Sequence, residues 1–168
     1  MENNDNEIND SLPKKALMVL YSYHHHNTEK VANVIALVLG AEIRCSEDVN
    51  PEEIKEYDLI GFGSGIYGGI HHKTLLELAD KLPETTDKKA FIFSTSAGVE
   101  KSKTIKSHSA LREKLQSKGY MIFDEFQCRG FLGKIGLGIS RGHPDAQDLK
   151  HAEEFAQNII KTKKDSNS

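Results

Sequence analysis

Three short polar stretches carry the residue types able to do chemistry in this chain of 168 residues. The first runs Ser22, Tyr23, His24, His25, His26, Asn27, Thr28, between an apolar run and an amphipathic one. A loop that enters a helix aims backbone N–H groups and the positive end of the helix dipole at one point. A phosphate is the usual occupant of such a point. The three consecutive imidazoles admit three roles. They can donate hydrogen bonds to a phosphate, whose charge favours the protonated ring, and affinity is then expected to weaken as pH rises through about 6 to 8. They can form a solvated rim without further use. They can bind a transition metal, but neighbouring side chains in one loop diverge, and no metal site is assigned.

The second stretch is Ser64, Gly65, Ile66, Tyr67, Gly68, Gly69, Ile70. An aromatic residue set among glycines suits stacking on a planar ring; the alternative is a tyrosine folded back onto the core. The third is Thr95, Ser96, Ala97, Gly98, whose hydroxyls and backbone N–H groups suit the polar edge of a heterocycle. Its alternative is an ordinary turn before a helix.

The elements that must position these stretches follow from hydrophobic periodicity. Lys15–Tyr21 is a continuous apolar run, short enough for a strand covered on both faces. Thr28–Leu39 places Val31, Val34, Ile35, Val38 and Leu39 on one helical stripe, and Gly40 ends it. Ala41–Arg44 reads as a second strand, Pro51–Glu53 as the first turn of a short helix, and Tyr57–Gly63 as a third strand. His72–Leu82 is helical, Lys89–Ser94 a fourth strand, Thr104–Lys118 a helix with His108 on its inward side, and Tyr120–Gln127 a fifth strand. Asp145 caps the last helix. Such alternation predicts an α/β three-layer sandwich around a five-stranded parallel sheet. In sheets of that kind ligands bind beyond the carboxyl ends of the strands, and the three polar stretches follow strands 1, 3 and 4.

Composition narrows the function classes. Residues 1–14 and 162–168 read as disordered tails around one domain at 15–161. A net charge of −3 with no basic cluster beside exposed aromatics argues against nucleic acid. No signal peptide and no run of transmembrane length is visible, so a cytoplasmic protein with no membrane partner is expected. Cys45 and Cys128 lack metal-ligand spacing and read as free thiols. Residues 128–143 form a long glycine-rich loop with Phe131, Leu132, Ile135, Leu137 and Ile139. It is apolar enough to cover a ligand, to dock a partner or second subunit as a homodimer, or to pack on its own sheet edge.

Together, Tyr21 with Asn27-Thr28-Glu29 after strand 1, Gly65 to Gly68 after strand 3, and the Ser/Thr/Gly loop after strand 4 resemble the flavodoxin family over residues 15–161. The resemblance implies strand order 2-1-3-4-5 and FMN as cofactor. It places the phosphate on residues 22–28, the flavin ring near Tyr67 and the pyrimidine edge near Thr95 to Gly98. The chain departs from the family pattern in its first loop: Tyr23, His24 and His25 stand where hydroxyl residues are typical, and His26 stands at the glycine. The implied function is FMN-dependent electron transfer with redox partner proteins, with no residue assigned a catalytic role. Lys73, Lys101 and Lys103 near the rim are expected to stabilise the anionic reduced flavin. Two other readings are an FMN-dependent NAD(P)H:quinone-type oxidoreductase and a cofactor-free binding domain on the same fold.

Overall fold

A computed structural model describes residues 15–22, 26–98, 100–131 and 141–166. Its strands are β1 (Ala16–Tyr21), β2 (Glu42–Cys45), β3 (Leu59–Tyr67), β4 (Ile70–His71), β5 (Lys89–Ser96) and β6 (Met121–Arg129). Its α-helices are α1 (Asn27–Leu39), α2 (Lys73–Lys81), α3 (Lys101–Ser117) and α4 (Ala146–Ser166). A 3-10 turn at Pro51–Glu56 starts on proline as expected, and the Asn50 side chain caps it by accepting from the Glu52 N–H. The sheet order is β2-β1-β3-β5-β6, parallel throughout, with β4 as a short antiparallel arm on β3. Setting that arm aside, this is the predicted five-stranded order.

The strands are apolar on both faces because helices cover both. Leu17, Val19, Ile60, Phe62, Ala90 and Ile92 point to one side, against Leu75, Leu78 and Ala79 of α2 and Leu111 and Leu115 of α3. Met18, Leu20, Phe91 and Phe93 point to the other, against Val31, Ile35 and Leu39 of α1 and Ala152, Ala156 and Ile159 of α4. Gly61 and Gly63 of β3 lie in register with Phe91 and Phe93 of β5. A Cβ at Gly63 would fall 2.3 Å from the Phe93 ring, so these rings occupy the space that larger residues would need. Gly63→Ala is therefore expected to lower unfolding free energy by about 1–3 kcal/mol through overpacking, read as a lower urea midpoint at unchanged slope.

The expected boundaries shift where the loops were read too long. β3 continues to Tyr67 because Gly68 and Gly69 (φ 58° and 86°) form a tight turn that zips Ile66 to His71 and Tyr67 to Ile70. His71 is thereby buried in β4. β5 continues through Thr95 and Ser96, which pair with Cys128 and Arg129 of an equally extended β6. α3 begins at Lys101, a turn early, with Thr104 N–H bonded to the Glu100 carbonyl. α4 continues to Ser166, so residues 162–166 extend a helix instead of beginning a tail. Residues 1–14, Tyr23, His24, His25 and 132–140, to which several of the expectations apply, lie outside the described residues.

Candidate functional site

The carboxyl ends of β1, β3, β5 and β6 enclose a cavity of about 140 Å3. Ser22, Asn27 and Thr28 line it from the first polar stretch, Gly65, Ile66 and Tyr67 from the second, and Thr95, Ser96 and Ala97 from the third. Three stretches separated in sequence are thus brought to one place. Gly98 is one residue beyond and lines, with Gly68, an adjoining open groove of about 570 Å3.

The cavity's floor is stitched by side chains of the first helical turn. α1 starts at Asn27, and its first intrahelical hydrogen bond runs from Lys30 N–H to the His26 carbonyl at 3.0 Å. The N–H groups of Asn27, Thr28 and Glu29 therefore precede the helical ladder, at the positive end of the dipole. Neither Asn27 nor Thr28 caps the helix. Thr28 Oγ1 instead meets Thr95 Oγ1 at 2.9 Å, and Asn27 Nδ2 donates to the Phe131 carbonyl at 2.9 Å. That donation fixes the amide's orientation and leaves Asn27 Oδ1 as a buried acceptor with no partner among the described residues. An unmet buried acceptor is unfavourable by about 1–3 kcal/mol, and a ligand hydroxyl would satisfy it.

His26 itself takes the cap position in the left-handed region (φ 52°, ψ 30°), the conformation glycine tolerates best. Its Nδ1 lies 2.6 Å from Glu29 Oε2 and its ring is exposed. A β-branched residue is least tolerant of this angle. His26→Val is expected to lose more than about 1 kcal/mol, while His26→Gly is expected to lose none. Denaturant midpoints of the two variants provide the check.

Tyr67 is half-buried, with its ring against Gly65 and edge-on to His72, ring centres 5.2 Å apart. His72 also stacks flat on Tyr21 at 3.6 Å and caps α2 through Nδ1, which accepts from Thr74 N–H. Burial, with Lys73 nearby, lowers the His72 pKa. The rings of Tyr21, His72 and Tyr67 thus form one aromatic group at the cavity's edge.

Gly130 and Phe131, from the loop after β6, complete the lining; Phe131 belongs to the apolar loop expected to be able to cover a ligand, whereas Gly130 carried no such expectation. Gly130 N–H bonds the Ser96 carbonyl, and a Cβ there would crowd Asn27 and Thr95. Gly130 is one of five glycines in its stretch, which hid it. Among the described residues one cluster has metal-ligand geometry: His143, Asp145 and Asp148, with ligand atoms within 4.8 Å. Asp145 and Asp148 cap the start of α4 reciprocally, each carboxylate accepting the other's N–H at 2.9 Å, and His143 bonds Asp148. Helix capping accounts for all three. No helix among the described residues is long and apolar enough to cross a membrane.

Comparison with known proteins gives a consistent relation. Residues 18–136 match the model of the flavodoxin domain. An uncharacterized protein of Methanocaldococcus jannaschii is 48% identical over 151 residues, covering 88% of this chain and 99% of that protein. Among solved structures, oxidised Flavodoxin 2 from Bacillus cereus superposes with a TM-score of 0.70 at 18% identity, covering 88% of this chain and 99% of that one. A Fusobacterium nucleatum flavodoxin bound to flavin mononucleotide superposes with a TM-score of 0.63 at 13% identity, covering 88% and 98%.

Proposed function

This chain belongs to the flavodoxin family, and we propose that it holds FMN non-covalently in the cavity above β1, β3 and β5 and acts as an electron carrier. FMN supplies the redox chemistry when bound, and the protein supplies binding, orientation and electrostatics. The N–H groups of Asn27, Thr28 and Glu29 hold the phosphate at the positive end of α1. The observation that carries the reading is Asn27 Oδ1. Asn27 lines the cavity, and its Oδ1 is buried and can only accept, so a phosphate oxygen does not suit it but a ribityl hydroxyl does. The Thr28–Thr95 hydrogen bond ties the helix start to β5, and Phe131 closes the side through Asn27. The polar edge of the flavin lies along Thr95 to Gly98, and the aromatic group around Tyr67 flanks the ring. The flavin mononucleotide carried by the Fusobacterium nucleatum flavodoxin supports the same choice of ligand.

The test is an FMN titration of flavin-free protein, followed by the visible spectrum and by quenching of flavin fluorescence. Saturable binding, micromolar or tighter, is expected. Unchanged spectrum and fluorescence at millimolar protein would overturn the reading and leave the cofactor-free alternative.

A second reading rests on the adjoining groove. The charged residues lining it are Lys103 and Lys106, both cationic. A groove of this size beside the flavin edge suits a second small anionic molecule, as a dinucleotide reductant would be. Steady-state NAD(P)H oxidation with a quinone acceptor separates this oxidoreductase from a carrier.

A further inference from the structure

Beneath the cavity floor lies a buried polar cluster that has no part in holding the cofactor. Gly65 and Thr95, which line the cavity, are register partners on β3 and β5, and Ser64 and Ser94 are the pair just before them. Successive strand residues face opposite sides, so the two serines face the layer of α3. Each meets a histidine there. His71 Nδ1 is 2.9 Å from Ser64 Oγ, and His108 Nε2 is 2.7 Å from Ser94 Oγ. The two imidazoles lie against each other with ring centres 4.9 Å apart, and both residues are buried.

The hydrogens of this cluster can be counted. Ser64 Oγ donates to the Gly65 carbonyl at 2.7 Å and accepts from His72 N–H at 3.0 Å. The Gly65 carbonyl is the shorter of its two acceptor contacts, and a hydrogen given there makes Ser64 the acceptor toward His71, with the His71 proton on Nδ1 and a lone pair on Nε2. His108 Nδ1 is 2.8 Å from Glu125 Oε2. Burial pushes the Glu125 carboxyl up, but hydrogen bonds from Arg112 and His108 outweigh it and bring its pKa down to about 2. An ionised carboxylate only accepts, so His108 Nδ1 carries the hydrogen and its Nε2 accepts from Ser94. Ser94 Oγ accepts in turn from Gln127 Nε2 at 2.9 Å. One site in the cluster is left open: His71 Nε2, buried and without a partner among the described residues.

We propose that His71 Nε2 is a proton acceptor coupled to reduction in the cavity, taking a proton from solvent when incoming electrons make the space above Gly65 and Thr95 more negative. This rests on the FMN reading above. The electrons come from an external one-electron donor and the proton from water; the N–H bond at Nε2 forms as an O–H bond of hydronium breaks and a water molecule is released. The titratable groups facing the ring are His108 and, through it, Glu125 and Arg112, with His72 next in the chain. Burial holds the His71 pKa well below 6.5, against the pull of Glu125. The ring is therefore neutral at neutral pH before reduction. A new negative charge above it acts in the same direction as Glu125 and favours protonation.

The experiment counts protons taken up per electron pair when FMN-loaded protein is reduced photochemically in weakly buffered indicator solution, between about pH 5 and 8. Wild type is expected to take up more than His71→Gln, by up to one proton at the maximum. The glutamine keeps an N–H for Ser64 but cannot titrate. Equal uptake at every pH, with FMN bound to both proteins, overturns the proposal and leaves the FMN reading standing. Failure of wild type to bind FMN overturns both. Nitrogen NMR of the imidazoles in flavin-free wild type needs no variant: hydrogen on His71 Nδ1 with Nε2 bare is expected, and hydrogen on Nε2 overturns the proposal even where His71→Gln does not fold.

Discussion

Asn27→Ala is expected to weaken FMN binding by about ten- to a hundredfold, as loss of a hydrogen bond to a buried acceptor together with a neighbouring tether would do. The side chain does two things at once. Asn27 is the one cavity-lining residue, among the described residues, with a buried side-chain atom, Oδ1, that lacks a partner, and its Nδ2 holds the carbonyl of Phe131. Removing it takes away an acceptor for the ribityl chain and loosens the wall of the site. The helix start remains, since His26 and not Asn27 occupies the cap position. The titration that measures FMN binding to wild type measures this variant too. An affinity within twofold of wild type would show that Asn27 does not face the ligand.

The second large effect concerns stability. Glu125→Ala is expected to lower unfolding free energy by about 2–4 kcal/mol, because it leaves three donor groups on two residues without their acceptor. Arg112 gives Glu125 a bidentate pair through Nε and Nη2, and His108, whose side chain is fully buried, gives it Nδ1. Glu125→Gln keeps oxygen and hydrogen-bonding capacity and is expected to lose less. The pH profile separates the electrostatic part. The Glu125 pKa falls from an ordinary 4.5 to about 2, so its stabilisation is complete above pH 4.5 and is lost as pH falls through 2. His71 adds a separate acid limb. Its folded pKa lies well below 6.5, so the unfolded chain binds the proton first and stability falls as pH drops below 6.5. Denaturant midpoints against pH should show the upper limb lost in His71→Gln and the lower limb lost in Glu125→Ala. A single acid limb unaffected by either change would contradict the hydrogen-bond assignment.

The sheet and both helical layers were legible because strands buried on both faces and helices with one apolar stripe carry strong periodicity; the strand order was implied only by the family resemblance. The three polar stretches were legible as a group because each follows a strand at the same edge. What periodicity does not carry is the depth of a side chain inside a loop. His71 looks like a rim histidine until the Gly68-Gly69 turn pairs Tyr67 with Ile70 and turns its ring inward. Asn27 looks like a helix cap until its amide is seen crossing to Phe131, 104 residues later. His26 is the reverse case: loss of the family's glycine put in doubt a backbone angle that glycine tolerates best, and His26 adopts it nonetheless, with φ 52°. His108 was legible as an inward histidine, but its partners Ser94 and Glu125 come from β5 and β6 and could not be read from spacing.

In the proposed complex FMN sits on the start of α1 with its polar edge along Thr95 to Gly98 at the end of β5. Backbone amide NMR of flavin-free protein titrated with FMN tests it most directly. The largest shifts are expected at Asn27, Thr28, Glu29, Thr95, Ser96, Gly98 and Gly130, with little change at the opposite ends of the strands. Shifts centred elsewhere, or none on saturation with FMN, would contradict it.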